Sequence, residues 1–269
     1  MTASFPYVTF QILASHADVI AAVSTRDGGV SAPPFHSANM SFSAGDDPDC
    51  VRENRRRYLT ALGISPETII STNQVHATRI VTVGEADCGC GALSPDTAID
   101  ECDGLLTATP GVPLTMNFAD CTPIFLYDPK KKIAALVHGG WRGTAGNIAG
   151  CAVQEMEKQF GTNPKDILAA IGPAIGPCCF EVGEDVIAAF AKIFSPIALA
   201  ELAEEKGNGH FLFHLPEANR RLLLQAGLSE TNIEDCHLCT YCHDDKFFSY
   251  RKSGGKTGRH MGVICMKQN

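Results

Sequence analysis

The sequence predicts an α/β (α+β) fold in a single domain spanning residues 1–269. Three observations point there. The chain is long enough to bury a large core, and 45% of its residues are hydrophobic against 19% charged, an ordinary globular balance. Short apolar runs bounded by turn residues alternate with amphipathic stretches of helical length. No linker, repeat or low-complexity tract divides them. Length alone would also allow two small domains, and periodicity does not fix the topology.

The elements follow in chain order. Val51 onward predicts a helix entered through Asp47-Pro48-Asp49, with Arg55, Arg56 and Arg57 in a row along it. Ile69 to His76 predicts an apolar strand ending at the histidine. Leu114–Phe118, Ile124–Tyr127 and Ile133–Val137 predict strands. Asp128-Pro129 with Lys130, Lys131 and Lys132 makes the tip of a hairpin. Thr144 to Phe160 predicts one helix, closed by Gly161 with Asn163-Pro164 beyond. Ile167–Ile171 predicts a strand running into Gly172-Pro173 and Gly176-Pro177. Glu184–Phe194 and Pro216–Gln225 predict helices, the second with proline in its first turn and Gly227 past its end. Phe247 to Tyr250 predicts a short strand.

Composition narrows the function classes. The net charge of −8 opposes general binding to nucleic acid or anionic lipid. No apolar stretch approaches the roughly 18–20 residues of a membrane span. The Met1–Phe10 stretch lacks the pattern of a secretory signal. The twelve cysteines are then expected as thiols, ligands or nucleophiles in the cytoplasm. Adjacent Cys178 and Cys179 are poorly placed to bridge each other.

Three segments share one design, an apolar run that ends in a reactive side chain beside a small-residue turn. They end at His76, at Cys121 and at His138. A thiolate and two neutral imidazoles suit a borderline-soft divalent ion, zinc first. Three protein ligands leave a fourth position for water or substrate, the arrangement of catalytic zinc. The short hairpin from Cys121 to His138 sets neighbouring strands side by side. The ordinary alternative is that each is an inert core or surface residue.

Other motifs are less specific. Gly139-Gly140-Trp141-Arg142-Gly143 precedes a helix and reads either as a backbone anion cradle with Arg142 as a charged fork, or as a tight turn. Trp141 is a core residue or a pocket wall. Cys236-x-x-Cys239-x-x-Cys242-His243 has the spacing of a second metal cluster, but no matching second pair is evident, and Cys88-x-Cys90 is an imperfect one. An inward-facing arginine of the Arg55–Arg57 row could hold phosphate.

Together these segments resemble the YfiH-type family, long labelled multicopper polyphenol oxidases and now associated with purine nucleoside phosphorylase activity. The resemblance rests on Gln74-Val75-His76, Ala119-Asp120-Cys121-Thr122-Pro123 and His138-Gly139-Gly140-Trp141-Arg142-Gly143. Supporting stretches are Arg26 to Ser31, Ile171 to Gly183, and Phe247 to Arg251 with Gly258-Arg259. Ala77 and Gly139 depart from the family's usual residues without touching a ligand. The resemblance implies a layered α/β/β/α sandwich like the cytotoxic necrotizing factor catalytic domain. It implies zinc on His76, Cys121 and His138, which are then the catalytic residues, with Arg55 a phosphate contact. It implies phosphorolysis of adenosine, inosine and methylthioadenosine, with adenosine deamination. Purine nucleosides and phosphate are thus the expected partners. The Cys236 and His243 flanks inherit no role. Asp120 and Asp103 are candidates for protonating the departing base.

Three rival classes remain open. A cysteine hydrolase or amidase, including one that edits peptidoglycan precursors, would use Cys121 as nucleophile and His138 as base. A copper-dependent polyphenol oxidase (laccase) shares the His₂Cys ligand set. It also needs many histidines, commonly as His-x-His, whereas this chain has nine and no such pair. A metal-stabilised binding module would need a fourth protein ligand, such as Cys102 or a member of the Cys236 cluster.

Overall fold

Several strands here are apolar on both faces, and such strands need a layer on each side. β4 (Gly104–Thr107), β6 (Thr122–Asp128) and β7 (Ile133–Gly139) are buried at every position. In the computed structural model, which describes residues 5–268, they join β3 (Ile80–Thr82), β8 (Leu168–Ile171) and β12 (Ile233–Asp235). Residues 1–4 of the Met1–Phe10 stretch, and residue 269, lie outside the described residues. The six strands run in the order β12-β8-β6-β7-β4-β3. The β6–β7 hairpin closes as predicted, with Asp128 opposite Ile133 and the Asp128 carboxylate accepting the N–H groups of Lys130 and Lys131. The β8–β12 and β3–β4 pairs are parallel.

A second, antiparallel sheet holds β1 (Tyr7–Thr9), β2 (Val19–Ser24), β13 (His260–Met266) and β5 (Leu114–Phe118), in the order β1-β2-β13-β5. A small third sheet joins β9 (Glu181–Gly183), β10 (Ala203–Gly207) and β11 (His210–Phe213). Seven α-helices complete the described chain: α1 (Gln11–Ala14), α2 (Pro48–Ala61), α3 (Trp141–Ala145), α4 (Ile148–Phe160), α5 (Glu184–Phe190), α6 (Pro196–Leu202) and α7 (Leu215–Gln225). α2 begins where the sequence puts it, with Pro48 in its first turn and Asp47 capping the Asp49 N–H.

Side-chain alternation sorts the layers. On one face of the six-stranded sheet, Leu126, Ala135 and Val137 meet Ile148, Ala152 and Met156 of α4 and Leu222 of α7. On its other face, Phe125, Tyr127 and Leu136 meet Val23, Met116 and Ile264 of the four-stranded sheet. The far side of that sheet, through Ala22, Met261 and Val263, is covered by Tyr58 and Leu59 of α2. The succession helix, sheet, sheet, helix is the expected α/β/β/α sandwich. No α-helix among the described residues is long and apolar enough to cross a membrane.

Four local expectations need correction. Ile69 to His76 is not a strand; only the isolated bridges Ile70–Leu114 and Thr72–Ile99 hold it. Thr144 to Phe160 is two helices, because Asn147 takes φ of 62° and caps the Gly150 N–H. The helix from Glu184 ends at Phe190. Phe247 to Tyr250 has no ladder partner, and its side chains pack as a turn instead.

Phe125 is fully buried between the sheets, with Phe10 5.0 Å away, centroid to centroid. Phe125→Ala is expected to lower unfolding free energy by about 3–5 kcal/mol in a urea titration.

Candidate metal centre and active site

Each of the three predicted ligands is delivered by a different kind of connection. Cys121 lies where the chain leaves β5, in the four-stranded sheet, and enters β6, in the six-stranded one. Asp120 makes the corner with φ of 86°. His138 is the penultimate residue of β7, directly opposite Pro123 of β6. His76 sits in the loop before β3, itself at φ of 61°. Two site residues in left-handed backbone conformations cost energy that the surroundings must offset, a pattern common at functional sites.

The His76 loop is fixed by two sets of hydrogen bonds. Gln74 pairs reciprocally with the backbone of Asn117, its Nε2 donating to the carbonyl and its Oε1 accepting the N–H, both at 2.9 Å. A side chain thereby substitutes for strand pairing against β5. Asp103, fully buried just before β4, accepts the backbone N–H groups of Val75, His76 and Ala77. The same carboxylate accepts Nδ1–H of His138 at 2.8 Å, and the Asp103 carbonyl accepts the His138 N–H. With Nδ1 committed, Nε2 of His138 is the nitrogen left for a ligand.

One ligand atom from each of His76, Cys121 and His138 lies within 4.8 Å of the others. The two imidazole rings are 4.8 Å apart and nearly perpendicular. Among the described residues no fourth histidine, cysteine or carboxylate joins them. Cys102, the sequence candidate for that place, instead donates its thiol to the Gly104 carbonyl. Gly140 shows how tightly the trio is built. A Cβ there would stand 2.9 Å from His76 and 3.2 Å from the Cys121 sulfur. Gly140 therefore makes room for the ligand cluster.

The electrostatics suit a metal. Burial works against the Cys121 thiolate, yet His138 and His76 outweigh it and bring the thiol down to about 6. Burial also works against the His138 imidazolium, yet the Cys121 thiolate and Asp103 raise it to about 9. Without metal, the two form a thiolate–imidazolium pair between those values. A metal ion would take the proton's place on His138.

The trio opens into a cavity of about 680 Å³, within the range that encloses small ligands. Phe42, Trp141, Ile175, Phe180 and Tyr250 give it apolar walls, and Asn73, Asn117 and Asp120 give it polar ones. Trp141 is thus a pocket wall. Arg55 lines the cavity too, whereas Arg142 does not; the Arg142 guanidinium is exposed and stacks 4.3 Å from the Trp141 ring. Arg251 and Arg259 take the places that sequence reasoning gave to Arg142. Both stand in quoted stretches of the sequence, but nothing local to them signals a cavity.

The three cavity arginines share a setting. Arg55 is buried and gives Nε and Nη1 to the carbonyls of Met40, Gly91 and Ala92. Arg251 bonds the Glu181 carbonyl, and Arg259 those of Thr257 and Gly258. Each lies over a cavity aromatic: Arg55 over Phe42 at 4.4 Å, Arg251 over Phe180 at 5.3 Å, Arg259 over Tyr250 at 5.2 Å. None pairs with a carboxylate among the described residues. Burial alone lowers Arg55 to about 9. Asp103 is fully engaged, and Asp120 accepts from the Thr240 hydroxyl and the Arg251 N–H. Both aspartates hold the site in place.

Residues 20–267 match the family described as multi-copper polyphenol oxidoreductase laccase. The chain is 40% identical over 252 residues to the purine nucleoside phosphorylase YlmD of Geobacillus stearothermophilus, covering 94% of this chain and 92% of that one. It is 34% identical over 250 residues to the adenosine deaminase RL5 of an unknown prokaryotic organism, covering 92% and 94%. The crystal structure of YlmD from Geobacillus stearothermophilus superposes with a TM-score of 0.93, at 37% identity and with 98% and 99% of the two chains covered.

Two outcomes test the site. In metal-free protein, ultraviolet thiolate absorbance should appear with a midpoint near pH 6. It should shift above the ordinary thiol range in His138→Asn, where burial persists without the cation. Zinc binding at this trio between pH 6 and 9, followed calorimetrically, should release about one proton, because Cys121 has already lost its proton and His138 has not.

Proposed function

Because the chain belongs to the multi-copper polyphenol oxidoreductase laccase family, whose relatives include purine nucleoside phosphorylases and an adenosine deaminase, we propose that it is a zinc-dependent purine nucleoside phosphorylase. Its substrates on this reading are adenosine, inosine and methylthioadenosine, converted with phosphate to the free base and ribose 1-phosphate or its methylthio analogue. The same cavity would deaminate adenosine, water adding at the purine C6 as ammonia leaves. One observation carries the reading: a candidate His₂Cys ligand set and three arginines, without carboxylate partners among the described residues, line a single cavity of about 680 Å³.

His76, Cys121 and His138 would hold the zinc, which supplies Lewis acidity and one open coordination position. The chain's own groups do the rest. Arg55, with Arg251 and Arg259, would bind phosphate; Arg55 is buried with no carboxylate partner among the described residues, and an anionic substrate would relieve the cost of that uncompensated cation. Phosphate oxygen then bonds to the ribose anomeric carbon as the bond to the base breaks. The base departs with that electron pair. Phe42, Phe180 and Tyr250 present faces on which a purine stacks. Asp103 fixes the His138 tautomer and the His76 loop, and Asp120 fixes the cavity wall.

A second reading has one specific observation behind it. Cys121, His138 and Asp103 stand in the order nucleophile, base and orienting acid, as in a cysteine hydrolase. On the zinc reading the thiolate is occupied, so alkylation of Cys121 should succeed only after the metal is removed. Copper in place of zinc would favour the oxidase reading, and metal analysis of protein purified without added metal distinguishes the two.

The main test is a panel of nucleosides incubated with and without phosphate and read by product mass. Zinc-loaded protein should give ribose 1-phosphate from inosine only with phosphate, and Cys121→Ala should give none. Folded, zinc-loaded protein that yields none overturns the proposal. Arg55→Lys should raise the KM for phosphate roughly tenfold to a hundredfold, the loss of one charge-assisted hydrogen bond.

A further inference from the structure

The cysteine motif at Cys236 does find its missing pair, in a place the sequence hides. β8 and β12 are parallel neighbours, and each runs into a loop at the same edge of the sheet. The loops stay together beyond the strands. Ala174 bridges Cys239, with Ala174 N–H bonding the Leu238 carbonyl and Thr240 N–H bonding the Ala174 carbonyl. This brings Cys178 and Cys179 against Cys239 and Cys242, with Cys242 lying 64 and 63 residues beyond its two contacts. The Cys242 sulfur lies 3.5 Å from both Cys178 and Cys179. All four sulfurs fall within 4.8 Å of one another. Cys236 is left out, half-buried against the inter-sheet core. Cys88 and Cys90, the imperfect sequence partner, pack on that same core.

We propose that Cys178, Cys179, Cys239 and Cys242 form a second metal site, a tetrathiolate that binds structural zinc. Tetrahedral zinc with bonds of about 2.3 Å holds its sulfurs about 3.8 Å apart, and small closure of this cluster reaches that. Iron–sulfur clusters place several irons between their thiolates and need them spread more widely. Four protein ligands close the coordination shell, so the site is structural, unlike the three-ligand centre beside it. Gly176 N–H donates to the Cys239 sulfur at 3.2 Å, the hydrogen bond that orients a metal thiolate. Cys178 and Cys242 are exposed, which gives the ion an entry path. The step involves no redox change: zinc binds, and the thiol protons go to solvent.

The site has a consequence for the cavity. Ile175 and Phe180 flank the first cysteine pair, Tyr250 and Arg251 follow the second, and all four line the cavity wall. Ile175 N–H bonds the Asp120 carbonyl and the Thr240 hydroxyl bonds its carboxylate. Zinc on the four sulfurs therefore pins both loops to the corner that carries Cys121.

The test counts metal and asks which residues hold it. Wild-type protein expressed with zinc should carry two zinc ions per chain by elemental analysis. Cys121→Ala should keep one, and the double variant Cys239→Ser/Cys242→Ser should also keep one. Cobalt added to metal-free Cys121→Ala should give the intense charge-transfer absorption of a tetrahedral tetrathiolate. If the double variant fails to fold, the wild type supplies the answer: Cys178, Cys179, Cys239 and Cys242 should resist alkylation until a chelator is added, as mapped by peptide mass. Folded Cys121→Ala that takes up neither zinc nor cobalt overturns the proposal. So does a disulfide from Cys242 to Cys178 or Cys179 in the native protein, or iron with sulfide at the site. These outcomes are independent of the nucleoside assay, so either proposal can fail alone.

Discussion

The hydrogen-bonding of one buried carboxylate, Asp103, sets the rest of the site. A fully buried carboxylate must be satisfied or it neutralises. Here it accepts three backbone N–H groups and one imidazole N–H, which hold it ionised against its burial. Those four bonds join the His76 loop to β7. They place one histidine, fix the tautomer of the other and, through His138, stabilise the thiolate of Cys121. Residues distant in sequence thereby become one ligand set.

The chain is acidic, yet its cavity is cationic. Carbonyl oxygens and aromatic faces hold Arg55, Arg251 and Arg259 without cancelling their charge, which a carboxylate would have done. The cavity thus keeps its attraction for an anion while the outer surface repels polyanions. On the proposed reading, that division would favour a small phosphate over nucleic acid.

Local features were legible in the sequence, and features made by distant contacts were not. The β6–β7 hairpin is visible because its turn chemistry and apolar runs are contiguous, and the start of α2 because Asp47 and Pro48 stand next to it. His76, Cys121 and His138 were found through their chemistry and their motif context. Asp103 was seen only as a possible acid, because its role depends on donors from two other segments. Arg142 resembled an anion ligand because it follows glycines, but its side chain turns out over Trp141. Arg251 reaches the cavity just after a segment that the sequence presents as a strand, and Arg259 does so from the residue before β13. Cys178 and Cys179 found no partner for a similar reason: only the parallel pairing of β8 with β12 reveals one.

The chain's crossing from β5 to β6 has a wider consequence. The His76 loop is tied to one sheet by Gln74 and to the other by Asp103, Cys121 stands on the seam between them, and His138 belongs to the second. The spacing of the three candidate ligands is thus a gauge of alignment between two slabs of the sandwich. A change deep in the apolar interface that let one slab slide by a fraction of an ångström would be felt as weaker ion binding long before the protein unfolded. Selection for catalysis in such a protein also polices packing far from any substrate.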